Sequence, residues 1–198
     1  MEGQYLDVLW NGVHRSYSIA STSLDKEVTL LIKKVEQGVM SDYWFNQAKL
    51  NDLLRIEGPK GTFFLRNKDT PFIMLATGTG IAPIMSILLK LDQDENYQQR
   101  QSISLFWGNR FAGDFVWEPR FKNITVDFEK VVSKPDSIWT RKTGYIQNTA
   151  LEVLGDNVIS SDTYACGSNE MIQSAKEQFM HVGLLEKQFY SDAFVQSY

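Results

Sequence analysis

The sequence predicts an α/β protein in two parts: an antiparallel, barrel-like first third, then an open parallel sheet with helices on both faces. Three observations carry this. The first 66 residues hold short runs rich in Val, Ile, Leu and Tyr, separated by turn residues such as Asn11-Gly12. After Pro71, apolar strand-like runs alternate with helix-period segments, the pattern of a parallel sheet whose crossovers are helical. The chain has 198 residues, enough for one large domain or two small ones. The polar stretch Asn67-Lys68-Asp69 puts the division between residues 1–66 and 67–198.

Taken in order, residues 4–10 and 15–19 read as strands, and Asn11-Gly12 between them signals a tight hairpin. Residues 28–35 read as a third strand. Residues 39–47 suit a short helix with Ser41 near its start. In RIEGPKGTFFL, Gly58, Pro59 and Gly61 read as a turn between two strand-like pieces. FIMLAT, residues 72–77, is a continuous apolar strand, and 81–91 a helix. SISLFWG follows as a strand, 113–119 as a short helix, and ITVDFEKVV as a strand. Residues 145–154 are helical, DTYACG is a strand, 169–182 a helix and QFYSDAF a closing strand. DQDENYQQRQ, at 92–101, is a solvated loop. No internal repeat or low-complexity segment interrupts the pattern.

Composition narrows the function classes. Twenty basic side chains against 24 acidic give a net charge of −4, which argues against a nucleic-acid binder. No apolar run reaches membrane-spanning length and the polar start is no secretory leader, so cytoplasmic residence is the expectation. A single cysteine, Cys166, excludes an intrachain disulfide and a four-thiolate iron–sulfur cluster within this chain. With only His14 and His181, a histidine-rich metal site is not expected.

LATGTGIAPI, at 75–84, carries the chemistry. Gly78, Thr79 and Gly80 form a turn with almost no side chain between a strand and a helix. A tight turn alone accounts for two glycines. Equally, glycines let a diphosphate reach backbone N–H groups, at the carboxyl end of a parallel strand where ligands of such sheets bind. Pro83 fits the first helical turn, where its missing N–H costs nothing. No GK[ST] follows, so nucleotide hydrolysis is not indicated.

GQYL at 3–6, RSYS at 15–18, GPKGTF at 58–63, GTGIAP at 78–83, WGNR at 107–110, ACGS at 165–168 and SDAF at 191–194 together resemble the ferredoxin–NADP⁺ reductase superfamily. The likeness runs from end to end. It implies an incomplete antiparallel flavin-binding barrel followed by a Rossmann-like nucleotide-binding domain. In that family GQYL lies partway into the barrel, so the opening strands are expected to be missing from this sequence. Residues 41–66 and SDAF are similar to CDP-6-deoxy-Δ3,4-glucoseen reductases, which pass electrons from NADH through FAD and a 2Fe–2S domain to a dehydratase partner.

The resemblance also implies roles. Arg15 neutralises the FAD diphosphate, Tyr17 covers the flavin and Ser18 reaches toward flavin N5. Gly38 and Ser41, in GVMS, form a second FAD contact, against the alternative of an ordinary helix cap. Gly78, Thr79, Gly80 and Pro83 receive the pyridine nucleotide. Arg110 lies near the adenosine ribose. Cys166 and Gly167 sit beside the nicotinamide, Asp192 near the flavin edge, and Phe194 over the flavin face. NADH is favoured over NADPH by the subfamily, although Arg110 leaves both open. Three functions stay in play. The first is the flavin/nicotinamide portion of a deoxysugar-pathway reductase with a protein acceptor, the second a stand-alone reductase of free flavin, and the third a truncated, non-catalytic fragment.

Overall fold

The computed structural model describes residues 2–66 and 69–194. Two sheets form. The first is antiparallel, with β1 (Tyr5–Trp10), β2 (Val13–Ser18) and β3 (Arg55–Lys60) in the order β2-β1-β3. The second is parallel, with β4 (Phe72–Thr77), β5 (Ile103–Asn109), β6 (Asp127–Val132), β7 (Asp162–Ser168) and β8 (Phe189–Phe194) in the order β6-β5-β4-β7-β8. The helices are α1 (Val39–Asp42), continued by a π-helical turn over Tyr43–Gln47, then α2 (Ile81–Gln93), α3 (Ile146–Leu154) and α4 (Asn169–His181). Among the described residues no helix is long and apolar enough to cross a membrane.

Local chemistry explains the first hairpin. Asn11 and Gly12 both take positive φ, 47° and 76°, the primed turn that matches strand twist and sets Trp10 opposite Val13. Leu6 and Val8 of β1 then face Met40 and Tyr43, a small core closed by Trp10, Tyr17 and Trp44. The other face of β1 carries Asp7, which is buried but receives Ser16 Oγ at 2.6 Å and Lys60 Nζ at 2.6 Å. Burial pushes the Asp7 carboxyl up. Hydrogen bonds from Lys60 and Ser16, with the charges of Lys60 and His14, outweigh it and hold the group below the usual aspartate value. A carboxyl lowered in the folded state stabilises the fold above the unfolded-state pKa, and that contribution disappears as pH falls through the folded one. Urea midpoints of Asp7→Asn should therefore fall less steeply than wild type below about pH 4. Parallel acid limbs would contradict this.

β4 is apolar on both faces, as a central parallel strand must be. Met74 and Ala76 point into one core with Ile81, Ile84 and Leu88 of α2. Ile73 and Leu75 point into the other with Ile146 and Ala150 of α3 and Ile172, Ala175 and Phe179 of α4. The first core also takes Ala20 and Phe63, which follow β2 and β3, so the first part of the chain packs side chains into it.

Three local expectations are corrected. Residues 28–35 form no strand: they meet the first sheet at one bridge, Ile19↔Leu30, with Ala20 N–H on Thr29 O at 2.9 Å. Their β-propensity supplies no partner. Gly58 and Pro59 lie inside β3 and do not turn the chain. Among the described residues β3 pairs only with β1, so a residue without an N–H is tolerated on its outer side, and the pairing shifts register between Tyr5 and Asp7. Helix 113–119 is reduced to a single turn, Ala112–Asp114. Beyond it Phe115 and Trp117 are half-buried while Val116 and Glu118 are exposed, the two-residue period of extended chain. Phe115 stacks on Trp139 at 5.8 Å.

Candidate functional site

The strongest candidate is a cleft of about 800 Å³ at the carboxyl ends of β4, β5 and β7. Its floor is the turn after β4. Gly78 takes φ +55°, its carbonyl accepts Trp107 Nε1 at 2.9 Å, and the space where a Cβ would stand is open. Thr79 lines the same floor. Three helical starts reach the cleft: the turn Gly78–Gly80 ahead of α2, Tyr145–Asn148 at α3, and Ser168–Glu170 at α4. A helical start carries a partial positive charge, a setting for phosphate oxygens, although at α4 the Ser168 N–H already donates to Thr77 Oγ1 at 3.0 Å and the Met171 N–H to Ser168 Oγ at 3.3 Å. Arg110, which is exposed, and Lys33, from the first part of the chain, add full positive charges.

Two polar atoms here have no partner among the described residues. Gln147 is 5% exposed; its Nε2 donates to Ser174 Oγ at 3.0 Å, but its Oε1 is buried and unpaired. Asn109 Nδ2 is likewise buried without an acceptor. An orphaned buried amide costs about 1–3 kcal/mol, so a ligand offering a donor and an acceptor there would recover that loss. Sequence reasoning passed over Gln147 and Lys33, and quoted Asn109 only as part of WGNR. Burial without a partner leaves no mark in a sequence.

The other nucleotide-side candidates lie beside the cleft. A Cβ on Gly80 would stand 2.2 Å from Cys166 O, and one on Gly167 2.1 Å from Thr77 Oγ1. Both glycines therefore serve the close approach of β4 and β7. Pro83 is buried in the first turn of α2. Cys166 is fully buried; burial, then the charge of Asp192, push its thiol well up, which disfavours the thiolate. Cys166 and Asp192 are register neighbours on β7 and β8, and burial raises the Asp192 carboxyl. Phe194 ends β8 opposite Ser168; its side chain lies outside the described residues.

On the flavin side, β2 puts Arg15 and Tyr17 on one face. Arg15 is half-buried, and among the described residues one of its N–H groups is engaged, with His14 O at 2.8 Å. That leaves most of the fork for an anion. Tyr17 accepts Trp44 Nε1 at 3.0 Å and meets its ring edge-on at 6.0 Å. Burial raises the Tyr17 phenol, ahead of opposing contributions from Trp44 and Arg15. Ser18 is buried on the opposite face. Gly38 and Ser41 line a separate pocket of about 470 Å³ with Trp10, Asn11 and Lys34. There Ser41 Oγ already accepts Val35 N–H at 2.9 Å. Arg15, Tyr17 and Ser18 are not brought into that pocket.

Asp7, His14 and Glu57 place donor atoms within 4.8 Å of one another. The Lys60 ammonium stands among them, 2.6 Å from Asp7 and 3.3 Å from Glu57, so a resident side-chain cation already balances that charge.

Family models match both parts. Residues 1–65 match an oxidoreductase FAD-binding domain, and residues 74–177 an oxidoreductase NAD-binding domain. The chain belongs to the FAD- and NAD-binding oxidoreductases. It is 41% identical over 202 residues to a CDP-6-deoxy-L-threo-D-glycero-4-hexulose-3-dehydrase reductase of Yersinia pestis, covering all of this chain and 60% of that protein. The RfbI protein of Salmonella typhimurium is 38% identical, again over 60% of its length. This chain thus spans about three fifths of those relatives. Among solved structures, the ferredoxin reductase of carbazole 1,9a-dioxygenase superposes with TM-score 0.84 at 22% identity, covering 98% of this chain and 60% of that one. A Neisseria gonorrhoeae ferredoxin NADP⁺ reductase with bound FAD and NADP gives 0.81 at 18% identity, over 98% of this chain and 86% of that one. These last two establish the shared fold.

Proposed function

We propose that this chain is the flavin- and nicotinamide-binding portion of an NAD(P)H-dependent reductase of the deoxysugar type, delivering electrons to a protein acceptor. One observation carries the reading: the cleft of the NAD-binding part gathers three helical starts, two cations and two orphaned amide atoms. Residues 1–66 and 67–198 are taken as the two functional units. When both cofactors are bound, hydride passes from the nicotinamide to the flavin.

The chain supplies binding, orientation and shelter. Thr79 and the N–H groups around Gly78 hold phosphate oxygens. Arg110 and Lys33 neutralise their charge, and Gln147 and Asn109 fix a polar group of the nucleotide. Arg15 anchors the flavin diphosphate, Tyr17 covers the ring, and Ser18 and Asp192 stand for polar contacts at its edge. Gly38 and Ser41 serve a second flavin contact, and Phe194 a cover that must move. Cys166 acts by place: packed behind the turn, it keeps β7 at the spacing that Gly80 and Gly167 permit.

The test is direct. The purified chain should be yellow, and NADH should bleach it faster than NADPH. Cytochrome or ferricyanide reduction without added flavin would support a protein acceptor, whereas dependence on added flavin would support the free-flavin reductase. A colourless protein that takes up no FAD would overturn the reading in favour of a non-catalytic fragment. In flavin-loaded protein, Cys166→Ala should slow bleaching by about tenfold, short of the roughly 100-fold that a full ångström of misplacement costs. FAD content should not change. An unaltered rate would leave Cys166 as a small buried hydrophobe.

A further inference from the structure

We propose that Tyr164, Tyr190 and Arg66 form a clamp that sets the alignment of the FAD-binding part against the NAD-binding part. They are positioning residues, and the inference rests on the reading above. Hydride transfer needs two rings held in register, and each part of the chain holds one of them. The alignment is therefore a property of the contacts between the parts.

Some of those contacts are apolar and non-directional. Ala20 and Phe63 enter the core beside α2, which fixes closeness better than angle. The clamp is directional. The Arg66 backbone N–H donates to Tyr164 Oη at 3.0 Å, from just after the first sheet into the middle of β7. The Arg66 guanidinium lies over Phe64 at 4.0 Å and over Tyr190 at 5.6 Å, and its Nη2 donates to Thr62 O at 2.9 Å. Tyr164 and Tyr190 stack at 4.9 Å with 24° between their planes, and Phe63 meets Tyr164 edge-on at 6.1 Å.

Tyr164 is fully buried among apolar residues. A hydroxyl there is costly unless bonded, and phenylalanine would fill the same space. Among the described residues, the Arg66 N–H is a partner from which that hydroxyl accepts a bond. Its location gives it consequence. Tyr164↔Tyr190 and Cys166↔Asp192 are successive same-face rows of the β7–β8 pair, about 7 Å apart along the strands. The connector is also gripped from its other side: a Cβ on Gly3, just before β1, would stand 2.0 Å from Phe63 O. A shift of residues 62–66 is thus shared between β1 and the strand pair that bears Cys166 and Asp192.

Tyr164→Phe in flavin-loaded protein keeps the ring and removes the acceptor. FAD content and the NADH dissociation constant should hold. The long-wavelength charge-transfer absorbance of the NADH–flavin pair should fall by about half, and bleaching by NADH should slow about tenfold. In the protein without cofactors, the Arg66 amide should exchange faster with solvent. Tyr190→Leu should reproduce the spectral loss, and Tyr190→Phe should restore it. An unchanged charge-transfer band in Tyr164→Phe overturns the clamp and leaves the proposed function standing, even if the melting temperature drops. A wild-type protein that binds no flavin overturns both.

Discussion

Gly80→Ala is expected to destabilise the NAD-binding part by about 3 kcal/mol or more, enough to abolish nucleotide binding through loss of the folded state. Backbone strain is not the cause, since Gly80 has φ −59°. Space is the cause. The new methyl would meet Cys166 O at 2.2 Å, Cys166 C at 2.6 Å and Gly167 Cα at 2.9 Å, all fixed atoms of β7. β7 is paired on both sides, by β4 and β8, so it cannot yield without breaking a ladder. Gly78→Ala is the control. Its φ of +55° costs about 1 kcal/mol, but the methyl would enter open cleft space. Gly78→Ala should lose affinity for NAD(P)H and keep most of its urea midpoint. Equal midpoints for the two variants would contradict this account.

Arg15→Ala should weaken FAD retention by about 2 kcal/mol, roughly 30-fold, with little change in fold stability. The side chain is half-buried, and among the described residues its hydrogen bond is to the carbonyl of its own neighbour, so the fold loses little without it. A diphosphate left without its fork loses charge-assisted hydrogen bonds that water must replace. Flavin absorbance after gel filtration reads the effect, alongside a thermal melt. Equal flavin content in the two proteins would remove Arg15 from the site. A large fall in melting temperature with flavin content in proportion would make the residue structural.

The elements most legible in the sequence were those whose local pattern agrees with their surroundings. FIMLAT reads as a strand because both its faces are buried, and Asn11-Gly12 reads as a hairpin because its residues accept positive φ. Residues 28–35 misled because propensity does not supply a partner, and residues 113–119 because Phe115 and Trp117 pack by two-residue alternation, not by helical period. At the candidate site, the places of Gly78, Thr79 and Arg110 along the cleft were legible from a turn and a strand end. Lys33 was not: it reaches the cleft from the first part of the chain, with no sequence neighbour there.

The sequence by itself determined the succession of strands and helices from β4 onward, residues 113–119 excepted, and with it a candidate cleft at the carboxyl ends of parallel strands. Periodicity records which faces are buried, and a parallel sheet follows from helical crossovers. Only the tertiary structure decided the order β6-β5-β4-β7-β8, which seats β7 beside β4. That neighbour explains Gly80 and Gly167 as points of contact between strands, leaving Gly78 open to a ligand. The orphaned amides of Asn109 and Gln147, and the clamp of Arg66 on Tyr164, were decided there too. Each depends on which distant segments meet, and a local pattern carries no information about a residue some hundred positions away.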